Sequence, residues 1–352
     1  MGVSYSENII LFRGVLTQEE INQIVKKGAV KILQTDTMPL DVPTLQKLND
    51  EYFEKFPDTE LRIYSYADCD LSPLAVMNKI KKLSIESSST FLNIETIYSL
   101  NAIRHLRVHT HRLPDNDFLI KIPNLIETLE IDITNKSFDL KSLSRFECLE
   151  TLGLYKCKKN IEIVSDLKQL RCLKLHGITL PSYSFVNKLP NLKTIAFSRG
   201  NIEKFSELYD NNTITGLYLF HLPKINNLDI LEKLPNLQVA EICQLTNVEK
   251  LPDLSKSKLQ HLCFENMKNL FDFTSIGSAQ HLKSVSETVC PTSLEIDNIL
   301  PMIQNPNIEQ CAFYTSSSRK NELFAKLIEQ YKKKCEANTH IVRKILFPNG
   351  KM

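Results

Sequence analysis

Two groups of side chains have the types and spacing from which chemistry could be built. The first is His105, Arg107, His109 and His111, polar residues at alternate positions of one stretch. Histidine ligates metals and titrates near neutral pH. If the stretch is a β-strand, alternate side chains share one face, and His105 and His109 stand about 13 Å apart, too far to share an ion. His109 beside Asp132 of the next strand makes a closer pair, and His111 falls at the turn. A solvated polar face is the simpler account, so neither a metal nor another cofactor is expected. The second group is His261, Cys263 and Glu265. A Cys–His pair could serve a thiol-dependent enzyme if the ring reached the sulfur and a pocket supplied an oxyanion site. Residues two apart on a strand lie about 6.6 Å apart and point in parallel, which does not by itself join them. A thiol-dependent enzyme is therefore the alternative reading, and the chain is expected not to be an enzyme. No Gly-rich phosphate loop and no Cys-x-x-Cys appears.

A repeat must position these residues. At 149–155 the chain reads Leu-Glu-Thr-Leu-Gly-Leu-Tyr, with Leu149, Leu152 and Leu154 spaced i, i+3, i+5. The same frame starts at positions 80, 103, 126, 149, 170, 192, 214, 237, 259 and 282, in steps of 21 to 23 residues. Such regularity marks a stack of similar units, each burying its apolar face against its neighbours. Between frames, apolar residues recur every third position, as in Ile94, Ile97 and Leu100 or Leu140, Leu143 and Phe146. That spacing predicts short 3₁₀-like or extended return segments rather than long helices. Pro-Asn-Leu at 123–125, 190–192 and 235–237 marks the turn back into the next strand. Ala240 and Glu287 occupy apolar positions of their frames.

The Leu-x-x-Leu-x-Leu frame resembles the leucine-rich-repeat family, in its short-repeat class of about 22 residues, as in bacterial internalins. The resemblance implies an α/β solenoid. It would be a leucine-rich-repeat horseshoe with a parallel β-sheet on the concave face and helix-containing caps at both ends. It specifies the fold and says almost nothing about the molecular task. The chain departs from the family at i+8, where Asn or Cys usually satisfies the turn: only Cys157 and Cys290 conform, while Ser88, His111, Thr134, Ile178, Gly200, Leu222, Leu245 and Met267 do not. The turns must be held in another way.

Both ends break the pattern. Thr17 and Glu20 form a capping box for a helix over 18–27 that Gly28 stops, flanked by strands at 9–12 and 30–34. A second helix with Pro43 near its start ends before Pro57, and a strand follows at 61–64. Near the other end, Ile308, Cys311 and Phe313 make a further frame, and 322–335 reads as a helix with Leu323, Leu327 and Tyr331 in line. Val342, Ile345 and Phe347 suggest a closing strand before Pro348-Asn349-Gly350. These readings divide the chain into N-terminal capping repeats at 1–65, regular repeats at 66–315 and a C-terminal helix–strand cap at 316–352.

In the strands, i+3 and i+5 point inward, so i+2, i+4 and i+6 line the exposed sheet. Corresponding positions form columns about 4.8 Å apart from strand to strand. These columns gather Arg107, His109, Asp132, Tyr155, Lys174, His176, Tyr218, Phe220 and Glu241. Exposed aromatics flanked by charges are what protein-binding hot spots use. The reading is a non-catalytic interaction module holding a protein partner on the concave face: a cytosolic regulator, a toxin-immunity protein or an effector. Lys+Arg 43 against Asp+Glu 41 leaves +2, which gives no warrant for a nucleic-acid partner. No run spans a membrane and no secretory signal is evident. The 9 Cys lack paired spacing, which suits a cytoplasmic monomer in a reducing compartment. Gly2 with Ser6 fits a myristoylation pattern, so a lipid-anchored scaffold is a further alternative.

Overall fold

The i, i+3, i+5 frames are β-strands. In a computed structural model of the chain, which describes residues 2–36, 39–110, 113, 117–133 and 138–348, the frames pair in parallel and in register. Leu152, Leu173 and Leu217, at the i+3 position, are fully buried, as the alternation of a strand requires. Repeats of this kind, strand beside strand with short return segments, are the leucine-rich-repeat architecture. The chain forms two compact units, residues 1–170 and 171–352.

Unit 1 begins with β1 (Val3–Tyr5), which runs antiparallel to β2 (Ile9–Phe12). Gly2 belongs to this hairpin, its carbonyl accepting from the Arg13 amide at 2.7 Å. Helix α1 (Gln18–Lys27) has the expected capping box at Thr17 and Glu20, and Gly28 ends it at φ 85°. Then come β3 (Ile32–Asp36), α2 (Val42–Lys47), continued by one π-helical turn over Leu48–Phe53, and β4 (Glu60–Ser65). β5 (Cys69–Asp70) and β7 (Phe91–Leu92) make a small separate sheet. β6 (Lys82–Ser87), β8 (His105–Thr110), β9 (Thr128–Ile133) and β10 (Thr151–Tyr155) extend the parallel ladder, with the one-turn helix α3 (Phe118–Lys121) between β8 and β9. The predicted 3₁₀ returns are present at Ile94–Ser99, Lys141–Arg145 and Ile161–Asp166.

Unit 2 carries β11 (Cys172–His176), β12 (Thr194–Ser198), β13 (Gly216–Phe220), the short α4 (Ile230–Lys233), β14 (Val239–Cys243), β15 (His261–Glu265) and β16 (Ser284–Cys290). It ends with α5 (Ile296–Gln304), β17 (Gln310–Thr315), α6 (Ser318–Gln330), β18 (Lys334–Cys335) and α7 (Thr339–Leu346). So helices are present in both terminal segments.

The missing Asn ladder has a backbone substitute. The residue at i+7 of successive frames is left-handed: Lys156, Gly177, Arg199, His221, Gln244, Asn266 and Val289 have φ between 51° and 63°. In unit 2 this turns its amide toward the next strand. Arg199 N donates to the Phe220 carbonyl at 2.9 Å, His221 N to Cys243 at 3.0 Å, and Gln244 N to Glu265 at 2.9 Å. The turn is closed by main chain, so the i+8 side chain is free to vary. His111 and Thr134 lie outside the described residues.

Two expectations at the C-terminus are corrected. The 322–335 helix is α6, and its buried residues are Phe324 and Ile328, while Leu323 and Tyr331 are 47% and 43% exposed. Phe324 packs edge-on against Phe313, which fixes the rotation. The stretch with Val342, Ile345 and Phe347 is not a strand but α7. Val342 and Leu346, four apart, form one helical face and are buried, while Ile345 is exposed. The final strand is the two-residue β18 instead, and Asn349, Gly350 and Lys351 lie outside the described residues.

Candidate functional site

The outward side chains of unit 1 form the expected columns, because register places them opposite one another. The middle column runs Gln34, Arg62, Ser84, Arg107, Glu130 and Gly153. The outer column runs Tyr64, Glu86, His109, Asp132 and Tyr155. Charges alternate across strands and pair. Arg62 grips Glu86 through two hydrogen bonds, at 3.0 and 2.6 Å, and donates to Gln34 at 3.1 Å. Arg107 Nε donates to Glu130 at 2.8 Å. Glu130 lies across Gly153, where a Cβ would meet its Cγ at 2.9 Å; the glycine makes room for the carboxylate arm. Bidentate and strand-crossing pairs of this kind hold their side chains in one geometry before a partner arrives.

His109 Nδ1 sits 2.9 Å from Asp132, and the hydrogen bond raises its pKa above the ordinary histidine value. His105, on the same strand, moves the other way: burial, aided by Lys82, lowers it. Tyr64 packs edge-on against Tyr66, which is 65% exposed, and the Arg62 guanidinium lies over the Tyr64 ring at 5.5 Å. Tyr155, at the far end of the column, is half-buried, and burial raises its hydroxyl pKa.

The corresponding face of unit 2 is covered. Here α7 lies on β13, β14 and β15. Val342, Leu346 and Phe347 form a buried cluster with Cys172, Ala196 and Tyr218. Phe347 stacks edge-on with Tyr218 and lies under the Lys174 ammonium at 5.1 Å. Arg343 Nε donates to Glu241 at 2.8 Å, and its Nη2 approaches Glu265 at 3.5 Å. Burial pushes the Glu241 carboxyl up and Arg343 opposes that shift; the guanidinium itself is held charged by the bond. Asn338, at the start of α7, is fully buried; it donates to Ser284 at 2.7 Å and to the Leu262 carbonyl at 3.1 Å, and accepts from Ser286 at 2.6 Å.

The exposure expected of Lys174, Tyr218 and Glu241 is therefore corrected: they are 5%, 7% and 0% exposed, because the C-terminal segment folds onto them as a helix. Their side chains do point to the outward face, as strand alternation requires, and the cover comes from the distant C-terminal segment. Phe220 is half-buried beside the cluster, with Arg199 over its ring at 5.6 Å, and His176 Nδ1 contacts Ser198 at 2.9 Å. Arg62, Tyr64 and Tyr66 were missed altogether. The signal was present in Leu61 and Ile63, whose inward alternation puts 62 and 64 on the outer face.

The thiol arrangement does not assemble. His261 Nδ1 pairs with Ser284 at 2.9 Å, while Cys263 is 1% exposed and meets Thr339 at 3.3 Å. Burial raises the Cys263 pKa, the opposite of what a nucleophilic thiolate needs. Glu241, Cys243 and Glu265 bring one ligand atom each within 4.8 Å of one another, but the cation at both carboxylates is Arg343. Among the described residues no helix is long and apolar enough to cross a membrane.

The site is thus a polar, aromatic-flanked sheet face on a leucine-rich-repeat scaffold. No family model matches the chain, and neither does any curated protein. Among solved structures, an internalin (InlF) of Listeria monocytogenes is similar at 14% identity, over 94% of this chain and 86% of that one, with a TM-score of 0.45. A leucine-rich-repeat protein of Leptospira interrogans is similar at 19% identity over 88% and 89% of the two chains, with a TM-score of 0.43. The functional domain of InlJ, also from Listeria monocytogenes, is similar at 15% identity over 82% and 69%, with a TM-score of 0.42.

Proposed function

We propose that the protein is a non-catalytic interaction module that holds a protein partner on the outward face of unit 1. The observation that carries this reading is the outer column from Tyr64 to Tyr155. Four strand spacings of about 4.8 Å give it a length near 19 Å, an ordinary span for the centre of an interface. Aromatics stand at both ends, and His109, Asp132 and Glu86 lie between. Arg107, His109, Asp132 and Tyr155 are the contact residues, joined by Arg62 and Tyr66. The partner presents donors to the carboxylates and apolar surface to the tyrosines. All nine cysteines are unpaired, which supports a cytoplasmic setting. The test is capture of the partner by the full chain carrying Tyr66→Ala and His109→Ala together. Both side chains are well exposed and the lost His109–Asp132 pair is worth at most about 1 kcal/mol, so the melting temperature should fall only slightly while capture falls by at least about tenfold. Undiminished capture by the folded variant would move the binding surface elsewhere.

A further inference from the structure

The covered face of unit 2 is not composed like a core. Against α7 and the residues that flank it lie Lys174 of β11, Glu241 of β14, and Ser284 and Ser286 of β16, each at most 5% exposed, among Tyr218 and the cysteines. A surface selected only to pack a helix permanently would be apolar, since every buried polar group must find a partner or cost stability. Here the helix and its two flanking residues answer most of them: Asn338 the serines, Arg343 the Glu241 carboxylate, Phe347 the lysine. One atom stays unanswered. Glu241 Oε2 is buried without a hydrogen-bond partner. An arginine that meets a buried carboxylate beside apolar anchors is the charge complementarity by which interfaces select a partner. The occupant is also weak on its own: α7 has eight residues, about 12 Å of helix, far below the length that is stable alone.

We propose that the outward face of β13–β15 is a helix-receiving surface, that α7 occupies it in cis, and that a partner's amphipathic helix of the same chemistry displaces it. That helix would carry an arginine flanked by apolar residues one position before and three after, as Val342, Arg343 and Leu346 do. Arginine meets Glu241 and Glu265; the apolar pair enters the Tyr218 cluster. This goes beyond the proposed partner face of unit 1 and uses different residues, so each can fail alone.

The test uses the full chain and a labelled synthetic peptide of residues 336–348. In Arg343→Glu, the new carboxylate faces Glu241 and Glu265, which loosens α7 in cis while leaving the receiving face intact. Fluorescence anisotropy should then show the peptide binding this variant at least about tenfold more tightly than the unchanged chain. A peptide carrying Arg343→Glu should not bind. Equal binding to both folded chains would overturn the proposal. If Arg343→Glu does not fold, Val342→Ala replaces it, with the same two outcomes. Hydrogen exchange on the unchanged protein gives an independent reading: α7 amides should exchange at least about 100-fold faster than those of β14. Exchange of α7 only together with β14 would mean a permanent core element and would overturn the proposal. A concentration-dependent dimer of the unchanged chain, abolished by Leu346→Ala, would assign the face to a second copy and overturn the choice of a foreign helix.

Discussion

Glu287→Gln should stabilise the protein above acid pH and flatten its pH dependence. Glu287 occupies the i+5 position of its frame, which points into the apolar interior, and it is fully buried beside the register shift between Thr288 and Cys290. Neither carboxyl oxygen has a well-formed hydrogen bond; the Cys290 thiol and the Met267 amide stand near them and oppose the shift, but burial outweighs both. Burial raises its pKa from 4.5 to about 8. In the unfolded chain the same group loses its proton near the ordinary value. Between the two values the unfolded state therefore binds fewer protons than the folded state, and stability falls as pH rises through that window. At about 1.4 kcal/mol per pH unit, the whole window, from 4.5 to about 8, is worth on the order of 5 kcal/mol. Glutamine keeps the shape and never ionises. Urea denaturation at pH 4, 6 and 8.5 should show near-equal stability at the lowest pH and a variant more stable by about 4–5 kcal/mol at the highest. Parallel curves for the two proteins would refute the reasoning, because they would mean that Glu287 is not held as a neutral acid.

Two further outcomes follow from single side chains. His109 should titrate above the usual histidine value in an NMR pH series, and Asp132→Asn should bring it back down, since the hydrogen bond to Asp132 is the first cause of the shift. The stability this pair contributes is present below the unfolded value and is lost as pH rises through the folded one; an unmoved His109 in Asp132→Asn would contradict the pairing. Cys263 should alkylate with iodoacetamide more slowly than the exposed Cys148, because burial both shields it and raises its pKa. Faster reaction at Cys263 would reopen the thiol-enzyme reading.

Much of the scaffold was legible in the chain because the repeat states one rule many times. Leu173 and Leu217 are buried for the reason that Leu152 is, and the capping box at Thr17 and Glu20 is a purely local signal. Columns followed from the same alternation. What could not be read was whatever depends on one segment meeting another far along the chain. Val342, Ile345 and Phe347 match the strand frame by spacing, yet Val342 and Leu346 match a helix face equally well. Only the apolar cluster around Tyr218 decides between them, and Tyr218 itself lies more than a hundred residues away. The burial of Glu241 has the same origin. The left-handed residues at i+7 were unreadable for a different reason: they are Lys, Arg, His, Gln or Val more often than Asn or Gly, so backbone hydrogen bonding sets their conformation rather than residue type.

The central claim, a protein partner held on the outward face of unit 1, is most directly tested by site-specific photocrosslinking. A photoreactive residue replaces Lys82, on the outward face beside His105 but not among the contact residues, in one full-length chain and the exposed Lys168 in a control, and both are irradiated in an extract of the native cells. The account predicts one discrete crosslinked protein from position 82, lost when Tyr66→Ala is added, and none from position 168. A partner that crosslinks equally at both positions, or only at 168, would contradict it.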